Sequence, residues 1–159
     1  MNFFMKEAIM EAYKAYKKGE VPVGCVIEKD GQIIARAHNE VESLQKSSAH
    51  AEMLALERAN EFLGVWRLDG CNLYVTLEPC TMCVGAIINA RIQTIHIGAR
   101  DVERGAVISK VPIISDNTIP CKTDAVVYDE PVCSYIMSRF FRELRRGRIQ
   151  KASDRLGEK

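Results

Sequence analysis

The stretch "CNLYVTLEPCTMCVGAIINARIQTIHIGA", residues 71–99, decides the class of fold. Its first seven residues predict a strand, residues 81–90 predict a helix that starts directly behind Pro79, and residues 92–99 predict another strand. Strands that alternate with helices are typical of an α/β domain.

The residues on the N-terminal side continue this alternation. The pattern predicts a helix over 3–18 that stops at Gly19, and a β-hairpin over 21–39 with Asp30 and Gly31 in its turn. A helix over 49–63 follows. The serines that end the polar stretch before it are expected to cap that helix.

The C-terminal third is less regular. Pro112 and Pro120 interrupt residues 101–123, so no long element is expected there. A short strand over 125–128 and a final helix over 131–146 follow, with the tail 147–159 expected to be mobile. No repeat or linker is visible, and 159 residues suffice for one domain with a proper core, so we assign residues 1–159 to a single domain.

Composition and charge narrow the cellular setting. No apolar run approaches the roughly 20 residues of a membrane span, and the charged N-terminus lacks a signal-peptide core, so we expect a cytoplasmic protein with no membrane partner and reduced thiols. The formal net charge is only +1, yet residues 139–159 carry eight basic and three acidic side chains. This basic end fits a polyanion such as nucleic acid, although a solvated helix end explains the charge equally well.

Cys80 and Cys83 form a C-x-x-C pair, which is half of a structural zinc site or most of a catalytic one. A catalytic zinc site has three protein ligands and an open position for water. The third ligand would be a histidine, and the chain has three: His38, His50 and His96.

His50 stands out because Glu52 follows it in "HAE", at the expected start of a helix. In a first turn, both side chains can flank a metal that lies beyond the helix end. The two cysteines share the first turn of the next helix, where the helix dipole favours the thiolates that bind metal. H-x-E followed by P-C-x-x-C is the signature of zinc nucleobase deaminases.

The cysteine pair has two other possible interpretations. A thioredoxin-like redox pair would leave His50 and Glu52 without a role. A structural zinc module would need a fourth ligand, for which the available candidates are His38, His96, Cys71 and Cys121.

With these residues identified, the chain resembles the bacterial tRNA-specific adenosine deaminases of the cytidine deaminase-like superfamily. The matching stretches are "GEVPVG" (19–24), "ARAHN" (35–39), "AHAE" (49–52), "WRLDGCNLYVTLEPCTMC" (66–83), "RI…IGARD" (91–101) and the closing "FFRELRR" (140–146). The resemblance implies a three-layer α/β/α sandwich around a five-stranded mixed sheet, one zinc ion per chain and a homodimer. The implied partner is the anticodon arm of a tRNA, whose wobble adenosine would become inosine.

The resemblance also implies a role for individual residues. His50, Cys80 and Cys83 would bind zinc, and Glu52 would be the catalytic acid and base. Substrate contacts would come from Asn39, Pro22, Gly24, Ala51 and Pro79, of which Pro22 and Gly24 would shape the floor of the pocket through backbone geometry. Contacts to RNA would come from Phe140, Phe141, Arg142, Arg145 and Arg146. At helical spacing one of the two phenylalanines can instead point inward as a core residue, while the other stacks on a base and the arginines contact phosphates.

Residues 101–123 depart from that family. After "GARD" its members typically continue with Gly-Ala-x-Gly-Ser, whereas this chain reads "VERGAVISKVPIISDNTIPCK". A deaminase of a free base or nucleoside, of the guanine or cytosine type, is therefore the alternative on the same scaffold. A zinc or RNA-binding protein without catalysis is a third possibility.

Overall fold

A single mixed sheet organises the computed structural model, which describes residues 1–158. The strands are β1 (Gly24–Lys29), β2 (Gln32–His38), β3 (Cys71–Leu77), β4 (Thr94–Ala99) and β5 (Asp124–Val127). The helices are α1 (Phe3–Lys18), α2 (Val41–Leu44), α3 (Ala51–Leu63), α4 (Thr81–Asn89) and α5 (Pro131–Arg145). Short 3₁₀ helices span Ile113–Ser115 and Ala152–Glu158.

The strand order is β2-β1-β3-β4-β5, with β1 antiparallel to both neighbours and β3, β4 and β5 parallel. α1 and α5 pack on one face of the sheet, and α3 and α4 on the other. Parallel strands need a crossover, and α4 provides it between β3 and β4. The predicted three-layer sandwich with a five-stranded mixed sheet is confirmed.

The alternation of side chains along β1 supplies both cores. Val26 points to the α1 face, while Cys25 and Ile27 join the larger core under α3 and α4. Gly24 starts the strand where α1 crosses it, and a Cβ there would overlap the Ala8 carbonyl oxygen and the Ala12 nitrogen. Glycine is thus required for the close approach of α1.

Three details differ from expectation. The polar stretch before α3 contains α2, a helix of four residues that the sequence pattern did not indicate. The serines do not cap α3, because the helix begins at Ala51 and His50 occupies the N-cap position. In the tail 147–159, which is predicted to be mobile, the buried Ala152 donates its N–H to the Gly19 carbonyl at 3.2 Å, and the Ala152–Glu158 helix packs against α2; residue 159 lies outside the described residues.

None of the helices within residues 1–158 combines the length and the apolar character needed to span a membrane.

Candidate active site

Two helix N-termini meet beyond the C-terminal end of β3. His50 is the N-cap residue of α3 and Cys80 is the N-cap residue of α4, and Cys83 lies in the first turn of α4. N-cap positions usually hold Ser, Thr, Asp or Asn, whose side chains bond to the first free N–H groups. Neither His50 nor Cys80 makes such a bond. Neither helix therefore has a side-chain cap, and the side chains of the two N-cap residues approach each other instead.

The three predicted ligands come together. The ligand atoms of His50, Cys80 and Cys83 all lie within 4.8 Å of one another. The His50 Nδ1 atom is 3.7 Å from the Cys80 sulfur and 3.6 Å from the Cys83 sulfur. A tetrahedral zinc ion with bonds of about 2.3 Å to sulfur and about 2.1 Å to nitrogen holds such atoms about 3.6 Å apart. The donor set and its spacing therefore fit zinc.

The pKa values of the two thiols also support a cation site between them. Hydrogen bonds from Cys83 and His50 lower the pKa of the Cys80 thiol to about 3. The hydrogen bond to Cys80, together with burial, raises the pKa of Cys83 far above its ordinary value. Two thiolates this close repel each other, so a cation between them is what would let both ionise.

Glu52 is the second residue of α3, in its first turn, and is only 4% exposed. Burial is the main cause that raises the pKa of its carboxyl group to about 7. A carboxyl group that titrates near neutrality can both accept and return a proton, which is the property of a general acid-base catalyst.

A cavity of about 250 Å³ opens beside these residues. It is lined by Val21, Val23, Asn39, Val41, Glu42, His50, Ala51, Glu52, Leu77, Glu78, Cys80, Asp101 and Arg104. Of the predicted substrate contacts, Asn39 and Ala51 lie in this wall. Asn39 is held there because its side chain donates to the Val21 carbonyl at 3.3 Å.

The other predicted substrate contacts are not in the cavity wall. Gly24 faces α1. Pro22 is buried and does not line the cavity, whereas its neighbours Val21 and Val23 do. Pro79 is buried behind Cys80, where its carbonyl accepts the Ala106 N–H at 2.8 Å. These three residues shape the backbone around the site without lining it.

Two buried carboxylates that the sequence does not single out, Glu20 and Glu78, each fix a segment that lines the cavity. Glu20 is fully buried and accepts the backbone N–H groups of Glu42 and Ser43 at 3.2 and 2.5 Å, which fixes α2. Glu78 fixes the loop that carries Asp101 and Arg104. No spacing signal could have revealed either carboxylate, since each acts on a segment that is 22 residues or more away in sequence.

The predicted RNA contacts divide into two groups. Phe140 is 1% exposed and packs edge-on against Tyr16, so the prediction that it contacts RNA is wrong: it is a core residue. Phe141 is 37% exposed. The side chains of Arg142, Arg145 and Arg146 are exposed as well, and none of them lines the cavity.

The remaining histidines do not join the cluster. His96 stacks on Tyr74 with ring centroids 4.1 Å apart, and its Nδ1 atom lies 3.0 Å from the Tyr128 hydroxyl. His38 bonds to Glu11 through Nδ1 at 2.9 Å. Among the side chains described in residues 1–157, the cluster consists of His50, Cys80 and Cys83 alone, so a structural zinc module has no fourth ligand among them.

Comparison with known proteins places this geometry in a family. Residues 2–145 match the MafB19-like deaminase family. A tRNA-specific adenosine deaminase of Bacillus subtilis is 47% identical over 147 residues, which cover 91% of each chain.

Two solved structures extend the comparison. One, from a study of A-to-I editing by tRNA:A34 deaminases at the wobble position of transfer RNA, is 43% identical, with a TM-score of 0.81 over 84% of this chain and 97% of the other. A guanine deaminase from Bacillus subtilis is 32% identical, with a TM-score of 0.62 over 92% of this chain and 95% of the other. The chain belongs to the family of the tRNA-specific adenosine deaminases, as its motifs predicted.

Proposed function

We propose that this protein is a zinc-dependent hydrolytic deaminase that converts adenosine to inosine at the wobble position of a tRNA. The observation that carries the proposal is the convergence of His50, Cys80 and Cys83 beside the buried Glu52, in a chain 47% identical to a tRNA-specific adenosine deaminase.

His50, Cys80 and Cys83 would hold one zinc ion per chain. Zinc at a site with three protein ligands and one open position makes water acidic enough to act as a nucleophile near neutral pH. The positive N-terminal end of α4 stabilises the thiolate form of Cys80 and Cys83, which lie there.

Glu52 moves the protons of the reaction. Its carboxylate takes a proton from the attacking water and delivers it to the ring nitrogen next to the carbon that carries the amino group. Water adds to that carbon, the carbon–nitrogen bond breaks, and ammonia leaves with a second proton. Adenosine and water thereby give inosine and ammonia, with no other reactant.

The cavity beside Glu52 is the proposed seat of the target base. Asn39 and Ala51 lie in its wall, and a base that sits there must leave the stack of its neighbours. An adenosine in a flexible anticodon loop is already partly unstacked, so moving it into the cavity costs little free energy.

The arginines that end α5 are the proposed surface for the anticodon arm. Phe140 contacts Tyr16 near the C-terminal end of α1, and Ala152 contacts Gly19 just beyond that end. The C-terminal part of α5 and the chain after it therefore run at the same end of α1 as Val21 and Val23 of the cavity wall. Exposed arginines at this place suit phosphate contacts, and Phe141 suits stacking on a base.

The double substitution Arg145→Gln/Arg146→Gln is expected to weaken binding of an anticodon stem-loop. It should also reduce the slope of log K against log salt by about 1.5, because each lost phosphate contact contributes about 0.7–0.9. Fluorescence anisotropy at several salt concentrations measures both quantities. Arg67→Gln/Arg91→Gln is the matched control, since both residues precede strands at the opposite end of the sheet. An unchanged slope would refute the assignment.

We also propose a homodimer that acts in the cytoplasm. The α3–α4 face exposes large apolar side chains, with Phe62 67% and Trp66 62% exposed, next to a groove that includes Met53 and Ala86. Apolar patches of this kind mark protein interfaces. Light scattering should give twice the mass of one chain, and a monomer at micromolar concentration would count against the dimer.

The alternative substrate is a free base such as guanine, which the 32% identity to a guanine deaminase and the unusual 101–123 segment favour. Ammonia release should be measured on an anticodon stem-loop with a wobble adenosine and on free guanine, adenine, cytosine and their nucleosides. Turnover of the stem-loop alone supports the proposal. Turnover of a free base alone would transfer the same chemistry to the alternative, and no turnover of any substrate would favour a non-catalytic protein.

A further inference from the structure

The carboxylate of Glu78 holds the loop between β4 and the Ile113–Ser115 helix in place, although Glu78 itself lies outside that loop. It follows β3 directly, is 3% exposed, and accepts five hydrogen bonds from that loop. The donors are the N–H groups of Asp101 (3.0 Å), Val107 (3.2 Å), Ile108 (2.7 Å) and Ser109 (2.9 Å) and the hydroxyl of Ser109 (2.5 Å). Burial raises the pKa of Glu78, but these bonds outweigh it and lower the pKa below its ordinary value.

Gly105 brings the loop into contact with this carboxylate. A Cβ at Gly105 would overlap the carboxyl group of Glu78 and the carbonyl oxygen of Asp101. The side chain of Asp101 in turn accepts the N–H groups of Glu103 at 3.1 Å and Arg104 at 3.0 Å. The backbone on both sides of Arg104 is therefore fixed, although the loop surface is open to water.

Arg104 is placed by this arrangement at the edge of the cavity that contains His50 and Glu52. Among the lining residues it is the one arginine or lysine, and its side chain is exposed while Glu52 is 4% exposed. No carboxylate among the side chains described in residues 1–157 lies within 4.0 Å of its guanidinium group. The nearby Arg100, by contrast, pairs with Asp129 at 3.1 Å.

We propose that Arg104 binds a phosphate group of the RNA strand next to the target nucleotide, so that the loop fixed by Glu78 distinguishes RNA from a free base. This inference rests on the proposed function. A base or nucleoside carries no phosphate, whereas a nucleotide within RNA has one on each side. A guanidinium group that lacks a carboxylate partner at the rim of a base-sized cavity is suited to that phosphate, which it can bind through two N–H groups.

The test compares Arg104→Gln with Arg100→Gln in the full-length zinc-loaded protein. The substrates are the wobble-adenosine stem-loop and two versions of it, each with an uncharged methylphosphonate linkage on one side of the target adenosine. Arg104→Gln should raise KM about tenfold, with most of the effect in KM rather than kcat, and should reduce the salt slope of kcat/KM by about one. Arg100→Gln should match the wild type, since a surface ion pair contributes little.

The modified stem-loops identify the contact. One of the two uncharged linkages should weaken the wild type by about the same factor as Arg104→Gln, and should not weaken Arg104→Gln further, because the same interaction is removed twice. If Arg104→Gln matches Arg100→Gln in KM and salt slope, or if its loss adds fully to that of both linkages, the inference is overturned while the proposed function stands. A wild type that releases no ammonia from the unmodified stem-loop would overturn both.

Discussion

Replacement of Glu52 by glutamine should lower kcat on the stem-loop by about 10²–10⁴-fold and leave the zinc content at one per chain. Glutamine keeps the shape of the side chain but cannot accept the proton of the attacking water. Because the ligands are His50, Cys80 and Cys83, loss of the carboxylate should not release the metal. Glu52→Ala should give the same result, since the proton transfer, and not the packing, is what both variants lose.

The measurement combines ammonia release with elemental analysis of the same preparations. Glu57→Gln is the matched control, because Glu57 is an exposed residue of the same helix α3. It should keep wild-type kcat. Loss of zinc in both Glu52 variants would assign Glu52 to the metal site, and wild-type turnover in either would exclude it as the acid and base.

Replacement of Cys83 by alanine should remove zinc and abolish detectable ammonia release. Zinc that binds only the folded protein stabilises it by about 4 kcal/mol when its concentration is a thousand times Kd, which corresponds to about 10 °C in Tm for a chain of this size. A chelator should therefore lower the Tm of the wild type by about that amount. It should leave the Tm of Cys83→Ala unchanged, because the variant has no metal to lose.

Cys71→Ala separates a ligand from a buried cysteine of the core. Both cysteines are fully buried, but Cys71 begins β3, at the other end of the strand from the site. Its alanine variant should lose some stability from the smaller side chain and still keep one zinc per chain and the response to the chelator. A Cys83→Ala protein with full zinc and full activity would show that the cluster is not the metal site.

The sequence predicts those parts of the molecule in which local chemistry and tertiary structure agree. The hairpin between β1 and β2 is predictable because its turn is formed by two adjacent residues, Asp30 and Gly31, that favour a tight turn. The three ligands are recognisable because each stands at the start of a helix with a defined spacing to a second chemical group. Such signals lie within a few residues, and the fold does not override them.

The parts that the sequence does not predict depend on distant residues. α2 has only four residues, and it is stabilised by Glu20, which lies some 20 residues earlier in the chain. His50, and not a serine, occupies the N-cap position of α3. A proposed metal ligand therefore stands where local helix stability alone would favour a serine. Phe140 and Phe141 have the same composition signal, and only the packing of α5 against α1 makes the first a core residue.

The return of the chain end to Gly19 has a practical consequence for fusion proteins. Ala152 is bonded to Gly19, two residues before Val21 of the cavity wall, and the final 3₁₀ helix rests on α2. A protein joined behind that helix would start beside the entrance for the substrate. α1 has 16 residues and is about 24 Å long, so a protein joined in front of it would start at about that distance from Gly19. Tags and tethered domains therefore belong at the N-terminus, where they leave the entrance open.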